Sequence, residues 1–519
     1  MNIDFKSCGV RATRGVFLAL GLLAVGFACD AAPRFAHVFG DHVVLQRDTP
    51  IRVWGSGAGT AAKLKVRFDD TLTPAQVDAK GNWVATLSAM PANRLGKELE
   101  LLENGKPVAV VRDVVVGEVW LAAGQSNMQF PVRGMLKALP EAHAWVDASG
   151  QPAIRFRRVN DPVPADRQVE ARELKTPDAW TPMTPTSVLG FSAVAAVFAR
   201  ELEARLDIPV GIIDVSWGGK PIEPFIPRAR FTTPLLREIR ELADADKLEQ
   251  LAKLKGGLII RNPQGHPGAI YHARMAPLEK FGLRGFLWYQ AESNAGKGED
   301  PRQYRAKMKA LADGWRERWG RKQAPFCFVQ LPAFPGATGW IRMREEQRLS
   351  TSIQNSAMAV TIDIRGEGIH PPDKISVGRR LAALALGKTY RIDDTVAEGP
   401  MYRTHEIQGN AVRVFFENVG KGLMVGDKPG VAAPQETPEA PLQWFELAGA
   451  DGIWRRAQAA IEGDSVIVTS PQVERPVAVR YACSTEPQGG NLYNRAGYPA
   501  SPFCSDLKRL PWEDHGGNR

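Results

Sequence analysis

Three regimes of hydrophobic patterning follow one another along the chain. From residue 33 to about 115, short runs such as VVLQ (43–46) and IRVWG (51–55) alternate apolar and polar positions. The turn segments RDTP, GSGAG and DAKGNW interrupt them. A two-residue period broken by Gly, Pro and Asp predicts the short strands of a β-sandwich, since alternate side chains of a strand face opposite sides. At Val114 the pattern changes. Nearly unbroken apolar runs at 114–123, 210–215, 283–289, 326–331 and 357–364 alternate with stretches of helical spacing at 192–206, 233–255, 303–319 and 377–388. Strands that are apolar throughout are buried on both faces, and the intervening amphipathic helices cover them, so an α/β unit with a parallel sheet is expected. Past Ile392 the helical period disappears. Runs such as AVRVFFE, DSVIVTS and VAVRYAC predict a second β-rich region.

A different pattern occupies the first 31 residues. Lys6, Arg11 and Arg14 precede the apolar run Gly15–Ala28, and small residues follow at Ala31 and Ala32. Positive charge, a short apolar core and small residues predict a secretory signal peptide rather than a membrane span, for which the run is too short. Cys29 raises the possibility of a lipid anchor, but Gly26 stands where a lipobox has an aliphatic residue. The expected organisation is a signal peptide at 1–31, a β-sandwich-like domain at 32–113, an α/β domain at 114–391 and a β-rich domain at 392–519. A chain of 519 residues exceeds what one core usually supports. Export from the cytoplasm is expected.

Charge and cysteine content narrow the function classes. The net charge is +9, but 66 basic residues are interspersed among 57 acidic ones, with no basic arm. Nucleic acid is therefore not an expected partner. No HExxH, paired CxxC, EF-hand loop, phosphate cradle or dinucleotide fingerprint occurs, so neither a metal nor a cofactor is expected. The GxSxG elbow of common lipases is also missing. Cys327 lies in an apolar run and reads as a buried small hydrophobe. Cys483 and Cys504 bracket a Gly- and Pro-rich loop and could bridge it in an oxidising compartment.

The candidate chemistry lies where the predicted strands end. Gly124-Gln125-Ser126-Asn127 follows the first strand, Ser216-Trp217-Gly218-Gly219 the second, Gln290-Ala291-Glu292-Ser293-Asn294 the third, and Gly368-Ile369-His370-Pro371 the last. Parallel sheets bind ligands at the carboxyl ends of their strands, so these segments share one edge. A serine needs an imidazole to take its proton before it can attack an ester carbonyl. The oxyanion then formed needs fixed donors. Ser126 is the candidate nucleophile and His370 the candidate base. The N–H of Ser126, a glycine N–H at Gly219 or Gly218, and the amide of Asn294 are candidate oxyanion donors. Glu367, three residues before His370, is the local candidate to orient the imidazole. Gln290 and Glu292 read as braces, and Trp217, Trp288 and Tyr289 as core.

The longer strings around these residues carry a resemblance. GEVWLAAGQSNMQFPV, SWGGKPIEPF, FLWYQAESNAG, IHPPDKISVGRRLAALAL and NLYNRAGYPASPF resemble, in order, the sialate O-acetylesterase family of carbohydrate esterases in the SGNH-hydrolase superfamily. The resemblance implies a three-layer α/β/α SGNH-type core with a parallel sheet, flanked by β-rich domains. It implies an acetylated sugar as substrate, Ser126 as nucleophile, His370 as base, and Gly219 and Asn294 in the oxyanion hole. Three features depart from the family pattern: Ala291 where glycine is usual, Glu367 where an aspartate is usual, and the pair Cys483 and Cys504. Acetylated plant polysaccharide is an alternative substrate to sialic acid. A carbohydrate-binding protein with an inactive esterase centre is the alternative in a different class. The sequence does not indicate an oligomeric state.

Overall fold

In a computed structural model the described residues are 32–163, 173–175, 179–254, 263–296, 299–336, 339–364, 366, 368–392, 397–510 and 512. The leader and Glu367 lie outside them. Among the described residues no helix is long and apolar enough to cross a membrane.

The centre is a sheet built on one long strand, β1 (Lys106–Gly124). It is joined by β2 (Ile154–Arg158), β3 (Val210–Asp214), β4 (Gly285–Tyr289), β5 (Phe326–Val329) and β6 (Ser356–Ala359), in the order β2-β3-β1-β4-β5-β6. Every neighbouring pair in this series is parallel. A two-residue strand, Thr181–Pro182, adds an antiparallel edge. Alternation along β1 shows why its sequence is apolar without a break. Val119, Leu121 and Ala123 enter one buried cluster, while Trp120 and Ala122 enter another on the opposite face. With both faces covered, each side chain has a core to enter.

Short helix α1 (Ser126–Gln129) follows β1. Helix α2 (Ala193–Leu206) packs beside α5 (Lys374–Leu384) on one face of the sheet. Helix α3 (Tyr304–Arg318) buries Trp315 on the other face. The expected helical region at 233–255 is two helices, Pro234–Asp244 and Leu248–Leu254. Asp246 between them is left-handed (φ 58°), a conformation that no helix continues through.

The two β-rich regions attach differently. The first half of β1 pairs antiparallel with Asn93–Glu103 and parallel with Val44–Gln46, so the N-terminal β region and the α/β sheet share one strand. That strand passes residues 113 and 114 without a break. Val53, Leu64 and Trp83 of the N-terminal region belong to the same buried cluster as Leu121 and Phe286. The C-terminal region has a separate core of Val412, Val414, Leu447, Val466, Val479 and Phe503. It meets the α/β unit through α4 (Gly339–Leu349), a helix whose Arg342, Arg344, Glu345 and Glu346 are buried. Arg344 there donates to the carbonyls of Leu331, Pro332, Ser484 and Thr485. Cys327 is buried, which pushes its thiol up to about 12. Cys483 and Cys504 are free thiols, each directed at a backbone carbonyl.

Candidate active site

Four strand ends converge on Ser126. Strand β1 closes at Gly124 with φ 139°, and a Cβ there would sit 2.1 Å from the Tyr289 carbonyl oxygen. Only glycine lets the chain turn so close to β4. Gln125 N–H then donates to that same carbonyl at 3.0 Å, and Ser126 opens α1. Its Oγ lies 2.7 Å from His370 Nε2. Ser126 is half-buried, and His370 stands on the loop between β6 and α5 with its ring partly covered. Partial burial, and then the nearby charge of Lys374, hold the imidazole below its ordinary value of 6.5. Both effects disfavour the imidazolium, leaving a neutral ring able to accept a proton.

The glycine pair after β3 lies against the serine. A Cβ at Gly218 would be 3.6 Å from Ser126 Cβ. Gly218 N–H donates to Gln129 Oε1 at 2.9 Å. Gly219 is left-handed (φ 67°), with open space where a Cβ would stand. Trp217 is covered by the Arg274 guanidinium, 3.8 Å above its ring. Trp288 and Tyr289 are buried in the core.

Asn294 is buried in the loop after β4. It is 1% exposed. Its Oδ1 accepts from Ile222 N–H (2.9 Å) and Gln290 Nε2 (2.8 Å). Its Nδ2 donates to Glu299 (2.7 Å) and Glu223 (3.3 Å), leaving neither amide hydrogen for a bound oxyanion. Lys307 Nζ neutralises both carboxylates, at 2.8 Å from Glu223 and 2.7 Å from Glu299. The network continues through Gln290, whose Nε2 also donates to Gln125 Oε1 at 3.0 Å. The residues flanking Ser126 are thus tied to the loop after β4.

A second network runs under the serine on its other side. Asn127 is fully buried and donates to Glu292 Oε1 (2.5 Å) and to the Ile369 carbonyl (2.9 Å), one residue before His370. Lys374 Nζ donates to Asn127 Oδ1 and lies over the rings of Phe130 and Tyr289. Burial lowers Lys374 to about 7 against the pull of Glu292 and Asp373. Burial also raises Glu292 above the usual carboxylate range. Sequence reasoning missed Lys374. The available signal was a lysine at the start of a helix whose next turn, Ile375, Ser376 and Val377, is buried.

Glu292 is held by an unusual backbone. Ala291 has φ 156° and ψ −15°, a region that side-chain-bearing residues seldom occupy. Its N–H donates to Glu292 Oε2 (3.0 Å), and its carbonyl accepts from Asn294 N–H (2.8 Å).

A parallel-sheet core that gathers a serine, a glycine pair and a histidine at one edge, with β-rich regions around it, is the layout of an SGNH-type carbohydrate esterase. Residues 116–386, just over half the chain, match the family described as "Carbohydrate esterase, sialic acid-specific acetylesterase". The chain belongs to that family and is a carbohydrate O-acetylesterase, a carboxylic ester hydrolase. The crystal structure of a carbohydrate acetylesterase from Xanthomonas citri is similar over 92% of this chain and 100% of that one, with 31% identity and a TM-score of 0.77. The sialate O-acetylesterase of Rattus norvegicus is 27% identical over 76% of this chain and 80% of its own. That of Homo sapiens is 28% identical over 71% and 73%.

Proposed function

We propose that this protein is an exported serine esterase that removes O-acetyl groups from sialic acid or a plant polysaccharide through an acetyl-serine intermediate. The observation that carries this reading is the 2.7 Å contact between Ser126 Oγ and His370 Nε2 at the carboxyl edge of the sheet. His370 Nε2 takes the hydroxyl proton as Oγ bonds to the acetyl carbon. The carbonyl oxygen gains the charge and is met by the N–H groups of Ser126 and Gly219. The first N–H of a helix has no acceptor within that helix, which leaves Ser126 N–H for this purpose. The bond from carbon to the sugar oxygen breaks, and His370 Nε2 returns its proton to that oxygen. Water then loses a proton to His370 as its oxygen attacks the acetyl carbon. Acetate leaves, and Ser126 Oγ recovers the proton.

Asn294 is assigned to bracing the loop after β4, because its amide is spent on Glu223 and Glu299. Glu367, which lies outside the described residues, is assigned to His370 Nδ1 by its position three residues before the histidine. The export assignment rests on the charge-then-apolar pattern of residues 1–31.

Acetate release by the mature protein tests the reading. The substrates are a chromogenic acetate ester, acetylated xylan and O-acetylated sialic acid, each with and without Ser126→Ala. Release that vanishes in Ser126→Ala is expected, and the better natural ester identifies the substrate. Turnover persisting in that variant, or sugar binding without acetate release, overturns it.

A further inference from the structure

Open space lies beside His370. A cavity of about 780 Å³ there is lined by Phe130, His370, Pro372, Asp373 and Lys428. A second cavity of about 540 Å³ is lined by Asp427, Thr437, Glu486, Gln488 and Asn491. Asp363, Gly366 and Lys428 line both, so the two form one cleft with the α/β unit on one side and the C-terminal β region on the other.

We infer that this cleft is a groove for a carbohydrate chain, holding several sugar units from the acetylated one at Ser126 to Gln488. The inference rests on the esterase reading for the position of the acetylated unit. Size is the first argument. Each cavity falls within the roughly 300–1,000 Å³ that encloses one drug-sized ligand, so the linked pair exceeds what a single sugar fills. Chemistry is the second. The Thr437 hydroxyl and the Gln488 amide each offer a donor and an acceptor, as sugar hydroxyls require, and among the described residues neither has a side-chain partner.

Rigidity is the third argument. Lys428 reaches from the C-terminal region to Asp373, which caps α5 just beyond His370, with Nζ and Oδ2 2.8 Å apart. Tyr493 OH donates to Asp363 at 3.2 Å, and Arg380 holds the same carboxylate with two bonds of 2.6 Å. The far wall is fixed from behind. Trp444 Nε1 donates to the Gln488 carbonyl at 2.6 Å, and Asn491 accepts from Gln443 N–H and donates to the Pro441 carbonyl. A wall fixed before binding spares the ligand the cost of ordering it.

The test is calorimetric titration of the mature Ser126→Ala protein with β-1,4-linked xylo- and gluco-oligosaccharides of one to six units. The same titrations are made in a Thr437→Val/Gln488→Ala background. Affinity should rise with chain length in at least one series. The double substitution should remove that gain, by about fivefold for each hydrogen bond lost, while leaving the single sugar unaffected. Small-ester turnover by protein retaining Ser126 should be unchanged by the double substitution. Affinity independent of length in both series, or a length gain untouched by the two substitutions, overturns the groove. Serine-independent turnover of the small ester would overturn the esterase reading instead and leave the length series to decide the groove.

Discussion

Replacing Ala291 with glycine is expected to stabilise the protein, against the usual direction of that change in a core. Its φ of 156° with ψ −15° carries strain of about 2 kcal/mol, by the cost of sparsely populated backbone regions. Two effects oppose the relief. Glycine frees the unfolded chain by about 0.7 kcal/mol. The methyl, fully buried here, takes about 0.8 kcal/mol with it. The balance favours glycine by about 0.5 kcal/mol. Ala122 is the control. It is equally buried but sits in the regular strand β1, so Ala122→Gly meets both costs without relief and should destabilise by about 1.5 kcal/mol. The assay is guanidinium unfolding followed by tryptophan fluorescence, comparing midpoints at equal slope. The two variants should differ by about 2 kcal/mol. If Ala291→Gly costs as much as Ala122→Gly, the strain does not exist and the reasoning fails.

Two further substitutions probe the buried charges. In the proposed mechanism the neutral form of His370 accepts the proton, so the rate on a small acetate ester should rise with pH through an apparent pKa below 6.5, since burial, then Lys374, disfavours the charged form. Lys374→Gln keeps a donor for Asn127 and removes the positive charge, so imidazolium becomes easier to form and the acid limb should move to higher pH. A limb that stays in place or moves down refutes the coupling. Lys307→Met leaves Glu223 and Glu299 buried without their cation and should cost about 3–5 kcal/mol in denaturant unfolding, part of it recovered by adding Glu299→Gln. A cost below about 1 kcal/mol would show that the trio contributes little.

The sequence made the centre of the fold legible and the joints between its parts less so. Strands β1, β3 and β4 are apolar on both faces, and the residues after them could be read as one edge before any coordinates. Strand β2 was invisible because Arg155 and Arg157 occupy it. Their burial depends on partners distant in sequence, such as the Asp113 carboxylate and carbonyl that Arg155 reaches. Helix α4 was missed for a related reason. In it Arg342 is buried and paired with Glu346, and Glu345 is buried and paired with the half-buried Arg348. Periodicity reports burial of apolar groups and says nothing about charges that satisfy one another. The bonds of the Asn294 amide to Glu223 and Glu299 were hidden for the same reason, since neither carboxylate could be paired with it from spacing alone.

Strand β1 spans 19 residues and ends two positions before Ser126. Its first half is a sandwich strand and its second half the middle of the parallel sheet, so Ser126 is carried on a beam whose far end is embedded in another unit. Such a beam cannot be shortened at a linker, because none exists between the two. A fragment begun at Val114 would leave Val115 and Val116 without the Val44–Gln46 strand that covers them and would open one core to water across both units. The N-terminal β region is thus the foundation of the parallel sheet, and the two fold and unfold as a single piece. The C-terminal region, with a core of its own, is joined to that piece by side chains rather than by a shared strand.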